Sequence, residues 1–395
     1  MLTIETLLNI QIQELKQFFT QHAVPGRTSL FSGGSTRGKY IEILNFINAE
    51  LKNPKPKFTK AEFDLFLFEH LFFSNTNYQF LYKYDNFFAS VNTSIDDAIA
   101  TFKGITELRF NRWLSNTPNF NLEYNIYTTR IDSENDKLKA VHFILQMGKV
   151  ESRFGETNVF IGITIDLVNK VLLIKFNYKQ FEEIRKEPLS LVKEIKNVLM
   201  GFGKSGKPFS ELNLNIVSLG DKEAREAIYF MFEELSREAE NLLNSRINPE
   251  TDAKIIAFLN SMGIGKVEDD YIEQIKAVVF QDISKEIGDD TFEHGWVFRF
   301  HFREGDHTRA SSTQENKLPV YSSKTFWQLK ELIYREQEMY EAGFHWFMSS
   351  DDPEEFVDIR IESRNDTIIL HYYYRMRMGR REKEQFVIQK VTQYL

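Results

Sequence analysis

Residues 159–176, "VFIGITIDLVNKVLLIKF", set two apolar runs on either side of a tight turn around Val168-Asn169-Lys170. Strands joined by so short a connection are adjacent and antiparallel. Upstream, "LEYNIYTTRI" and "LKAVHFILQMGKV" alternate with the same period of two. Together these segments predict an antiparallel meander.

Helical periodicity surrounds it. Ile4, Leu7, Leu8, Ile12, Leu15, Phe18 and Phe19 fall at helical intervals, and "HAVPGRTSLFSGGSTRG" breaks the pattern. A second helix over 39–51 stops at "NPKP", and Thr59 with Glu62 forms a capping box for a third. Pro188 opens a helix ending at Gly201, "LNLNIVSL" reads as a strand, and a long helix runs from about Asp221 to Arg246. Asn248-Pro249 starts another helix, and "YIEQIKAVVFQDI" fits helix or strand. "GWVFRFHFRE" is a predicted strand and "GDHTRASSTQENKLP" a long polar loop. "SSKTFWQLKELIYREQEMYEAG" is a predicted helix, "EEFVDIRIES" and "TIILHYYYRMRM" a hairpin, and a helix starts at Arg380. The class is α+β: a helical N-terminal region, an antiparallel meander, and a C-terminal module mixing helices with antiparallel sheet. "GFGKSGKP" reads as a flexible joint, giving expected domains 1–203 and 204–395. At a spacing of 196 residues, Ile161, Ile163, Ile165, Ile174 and Phe176 match Val357, Ile359, Ile361, Leu370 and Tyr372. A duplicated sheet module would give that pattern, and so would two generic hairpins.

Composition narrows the chemistry. Without cysteine there is no disulfide, zinc–thiolate site or thiol nucleophile. A net charge of −8 argues against coating nucleic acid by bulk charge, leaving only a local basic face. The chain holds 36 Phe, which must lie in cores or interfaces, so a protein partner on a Phe-rich surface is expected. The start lacks a basic n-region and no apolar run spans a bilayer, so a cytoplasmic location without membrane contact is expected.

"FSGGSTRGKY" holds the frame Gly33-x-x-x-x-Gly38-Lys39, but Tyr40 stands where a phosphate loop needs Ser or Thr, and no strand precedes it. A capped helix start explains it, with Arg37 and Lys39 as a secondary anion site. His294, His301, His307, His345 and His371, with Glu304 and Asp306, match no metal motif, so no metal or other cofactor is called for.

Strand parity gives the most informative surface. Arg299, His301 and Arg303 oppose Trp296, Phe298, Phe300 and Phe302; His371, Tyr373, Arg375 and Arg377 oppose Leu370, Tyr372, Tyr374 and Met376. If both segments are strands of one sheet, they form a cationic, aromatic face, extended by His307, Arg309, Arg380 and Arg381. Arginine forks suit phosphate, and Tyr and His stack on bases. Pairing of Asp358 and Glu362 with Arg375 and Arg377 is the plainer alternative. The expected function is a non-catalytic binding protein contacting nucleic acid or another polyanion. The alternatives are a metal-dependent phosphodiester-cleaving enzyme using the 304–309 loop, and a scaffold without polyanion contact; no catalytic residue is assigned.

Overall fold

The structure is a computed structural model that describes residues 1–117, 122–184, 187–267, 269–284, 292–304, 308–349 and 352–395. These residues form an α+β protein of helices and eleven strands. The chain divides into two compact units, Met1–Ser218 with Arg377–Arg381, and Leu219–Met376 with Glu382–Leu395. No helix among the described residues is long and apolar enough to cross a membrane.

The first unit contains β1 (Tyr78–Asn86), β2 (Asn125–Glu134), β3 (Lys137–Ser152), β4 (Gly155–Asp166), β5 (Val171–Phe176) and β6 (Asn215–Val217). Their order is β2-β3-β4-β5-β1, with β6 also on β1, and every one of these pairings is antiparallel. The tight turn closes because the Asp166 carboxylate accepts from the backbone N–H of Val168 and of Asn169, both at 2.9 Å. β5 is buried on both faces, which is why it reads as a continuous apolar run. The N-terminal helices cover one face, and at Gly162 a Cβ would come within 3.2 Å of the Phe72 ring. Phe18 meets the rings of Phe58, Phe63 and Phe66 at centroid distances of 5.1, 5.7 and 4.6 Å. The helical phenylalanines therefore mostly form core, and Phe202, Phe230 and Phe258 are the exposed ones among the described residues. The capped helix Lys60–Phe68 continues into a π-helical turn, Glu69–Ser74. Gly203–Gly206 is a helical turn followed by a 3-10 segment, Lys207–Leu212, with Phe209 and Leu212 buried.

The glycine-lysine frame is a helix start. Ser35 caps the helix Thr36–Glu50 by accepting from the Gly38 N–H at 3.1 Å, and the segment before it, Arg27–Phe31, is helical. Tyr40 is buried and donates to the Ile10 carbonyl at 2.7 Å; burial pushes its phenol up to about 12, so it stays neutral.

The second unit contains β7 (Gly295–Glu304), β8 (Thr308–Thr313), β9 (Glu341–Phe347), β10 (Phe356–Ser363) and β11 (Ile368–Tyr372), ordered β8-β7-β9-β10-β11 and antiparallel throughout. The helix Asp221–Arg246 lays Ala224, Ile228, Met231 and Leu235 toward the sheet, and its Phe232 meets Phe300 at 5.9 Å. Two expectations change here, and one left open is decided. The helix expected to reach Gly343 ends at Glu336, where Gln337 turns left-handed (φ 55°), and the chain enters β9. The polar loop contains a strand, β8. The ambiguous "YIEQIKAVVFQDI" is helical, within Asp269–Ile283. The two matching hairpins also differ in register: Ile163 pairs with Ile174, whereas their counterparts Ile359 and Leu370 pair with Tyr372 and Ile361.

Candidate binding face

The second unit's sheet has one apolar and one polar face. Val357, Ile359 and Ile361 of β10 are fully buried, while Asp358, Arg360 and Glu362 point the other way. On β9, His345, Gly343 and Glu341 stand directly opposite those three. On β7, Trp296 opposes His345, Arg299 opposes Gly343, and His301 opposes Glu341. His371 of β11 opposes Arg360. Arg299, His301, Arg303, His371 and Tyr373 thus lie on the same side, as alternation predicts, and all are partly exposed.

The alternation fails in two places. A bulge at Phe298 shifts the β7 register between Val297 and Arg299. Trp296 and Phe298 therefore join the polar side instead of following Phe300. Trp296 stacks on His345 with centroids 4.0 Å apart, and Phe298 meets Tyr373 edge-on at 5.8 Å. β11 ends at Tyr372, and Tyr374–Arg377 is a 3-10 turn, so strand parity does not place Arg375 and Arg377.

Asp358 anchors one half of the face. It is fully buried, accepts from His345 Nδ1 at 2.7 Å, and pairs with Lys317 at 3.0 Å and with Arg375. Burial alone would raise its carboxyl, but hydrogen bonds from His345 and Lys317 and their charges outweigh this and hold it below the usual range. Burial pulls Lys317 down, against the opposing pull of Asp358. Trp296 Nε1 donates to the Lys317 carbonyl at 2.7 Å, and the ammonium lies 3.5 Å from the Tyr373 ring centroid. Burial raises the Tyr373 phenol.

Glu341 anchors the other half. It pairs with Arg299, and the Arg360 guanidinium lies 4.0 Å away. Arg360 also reaches His371 Nδ1 at 3.1 Å, and Arg303 lies over the Tyr340 ring at 4.6 Å. Burial raises the Glu362 carboxyl; Arg360 opposes this and Glu341 adds to it.

The remaining expected residues lie elsewhere. Arg377, Arg380 and Arg381 belong to the first unit. Arg377 binds Glu14 at 3.0 Å and Asn75 at 2.7 Å, Arg380 is buried, and Arg381 bridges Asp132 at 2.5 Å and Glu69 at 2.9 Å. Arg37 is exposed and donates to the Phe154 carbonyl at 2.7 Å, and Lys39 is half-buried. Asp306 and His307 lie outside the described residues, as do the side chains of Glu304 and Arg309. Among the described residues no group of three or more His, Asp or Glu side chains is arranged to hold a metal ion.

Sequence reasoning missed Trp296, Lys317, Glu341, His345 and Arg360 as parts of this face. The signal for two of them was present: in "EAGFHWF", Ala342, Phe344 and Trp346 alternate with Glu341, Gly343 and His345. A second polar chain, Asp132–His142–Thr164, links at 2.9 and 3.2 Å in the first unit. It has the connectivity of a catalytic triad, but Thr164 and His142 are buried and Phe72 packs on the imidazole at 4.9 Å, so it serves the core. Comparison of the chain with protein-family models, with curated proteins and with solved structures gives no match.

Proposed function

We propose that the polar face of the second unit binds nucleic acid or another polyanion. One observation carries the reading: Arg299, His301, Arg303, Arg360 and His371 occupy neighbouring, partly exposed positions on three strands, beside Tyr373. Arginine forks match phosphate oxygens, and the rings offer stacking surfaces to bases. The carboxylates Asp358, Glu341 and Glu362 offset only part of the charge of Arg299, Arg303, Arg360, Lys317 and Arg375. Asp358 and Glu341 are buried, so they orient the guanidinium and ammonium groups from beneath and leave the outer donors to a ligand.

Anisotropy titrations with labelled single-stranded and duplex oligonucleotides at two salt concentrations test the reading. Arg303→Ala combined with Arg375→Ala should weaken binding to every sequence. It should also flatten the dependence of log affinity on log salt by about 0.7 to 0.9 per lost contact. A wild-type chain that shows no salt-dependent binding would end the polyanion reading in favour of a scaffold.

A further inference from the structure

His345 is held more tightly than a binding surface requires. Trp296 lies nearly parallel to one ring face, at 4.0 Å and 15°, and Phe356 covers the other at 4.7 Å and 27°. Phe347 abuts the ring edge-on at 5.3 Å. Nδ1 meets the Asp358 carboxylate at 2.7 Å. Among the described residues nothing hydrogen-bonds Nε2. The side chain keeps 9% of its exposure, and Nε2 is not among the fully buried nitrogens that lack a partner.

That environment sets the chemistry. Lys317 and Arg375 hold Asp358 ionised, and an ionised carboxylate only accepts. In the neutral ring the imidazole proton then sits on Nδ1, and Nε2 carries the lone pair. This is how a carboxylate orients a histidine that takes protons. No Ser or Thr hydroxyl meets Nε2 among the described residues, so the nucleophile must come from the substrate or from water. Among phosphate polymers, RNA carries its own nucleophile beside each phosphate, the 2′-hydroxyl.

We infer that His345 is a general base that cleaves RNA bound on this face. The inference rests on the binding reading above and adds a reaction to it. Nε2 takes the 2′-hydroxyl proton as the 2′-oxygen bonds to phosphorus. The bond from phosphorus to the 5′-oxygen breaks, and that oxygen takes a proton from water. The products are a 2′,3′-cyclic phosphate and a 5′-hydroxyl end. The hydroxide left from water takes the proton back from His345, so the enzyme is regenerated and nothing is oxidised or reduced. Arg375, half-exposed beside Asp358, supplies positive charge to the pentacoordinate phosphate.

The test incubates the full chain with end-labelled single-stranded RNA, and with DNA of the same sequence, in excess EDTA. RNA should be cut to cyclic-phosphate ends while DNA stays intact. His345→Gln should slow cleavage at least about 100-fold, the lower range for general-base catalysis, with RNA affinity changed less than about threefold. The wild-type rate should rise with pH as a single base loses its proton and then level off, a readout that serves even where the variant fails to fold. RNA bound but uncut, cutting abolished by EDTA, cutting unaffected by His345→Gln, or a rate that rises without levelling would each overturn the inference and leave the binding reading standing. Failure to bind RNA would overturn both.

Discussion

Asp358 stays ionised without exposure because three cationic or proton-donating side chains converge on it. Removing its charge leaves Lys317 partly buried without an anion, and breaking a buried pair from one side costs about 3–5 kcal/mol. Asp358→Asn should lower stability by about that much in urea unfolding. Arg375→Ala should cost about 1 kcal/mol or less, because the arginine side chain is 54% exposed. Asp358, Asp132 and Glu14 all titrate below the usual carboxylate range. A carboxyl with a lower folded than unfolded value adds stability above the unfolded value, about 4, and loses it as pH falls through the folded one. Melting temperature should therefore hold from about pH 7 to pH 5 and fall below about pH 4; an unchanged value at pH 2 would contradict these assignments. At this scale the sequence showed half of the answer. The pairing of Asp358 with Arg375 was legible from the hairpin, because it is local. Its partners Lys317 and His345 were not, since one lies in a polar loop and the other on a strand whose first residues read as the end of a helix.

At the scale of elements, period two located the meander and β7, β10 and β11, because each buries at least one face and so constrains alternate residues. It failed at β9, where Glu341 and Gly343 interrupt the apolar signal and a helix immediately precedes. It also failed at the bulge, since one inserted residue reverses every side chain beyond it and leaves no mark in composition. The bulge works only because Gly343 is bare: a Cβ there would lie 2.5 Å from the Phe298 ring. Gly343→Ala should force Phe298 off the sheet and destabilise the protein by about 1–3 kcal/mol, as overpacking does. It should also disturb Tyr373, which Phe298 supports edge-on. Thermal melting, with tyrosine emission as a local probe, reads both effects. A variant that melts with the parent would show that Phe298 has another resting place.

At the scale of the whole molecule, local patterning could reveal the class but not the division of the chain. The first unit is discontinuous, and nothing in residues 377–381 signals that they leave the unit that precedes them in sequence. Arg377 is buried against Glu14 and Asn75, and its side chain is only 11% exposed. Arg377→Ala should therefore cost the full chain about 3 kcal/mol or more in urea unfolding, as stranding a buried carboxylate does. A loss below about 1 kcal/mol would mean that His70 alone satisfies Glu14. The same contacts carry a consequence for how the protein is made. A ribosome delivers Glu14, Glu69 and Asp132 long before it delivers Arg377 and Arg381, with the whole of residues 219–376 synthesised in between. During that interval the early half of the chain can gather its apolar residues but must hold these carboxylates without their final counter-ions. A messenger cut short anywhere in that stretch yields a chain whose first half lacks part of its own interior, an easy mark for proteolysis. These arginines thus act as a seal, set only after residues 219–376 have been made.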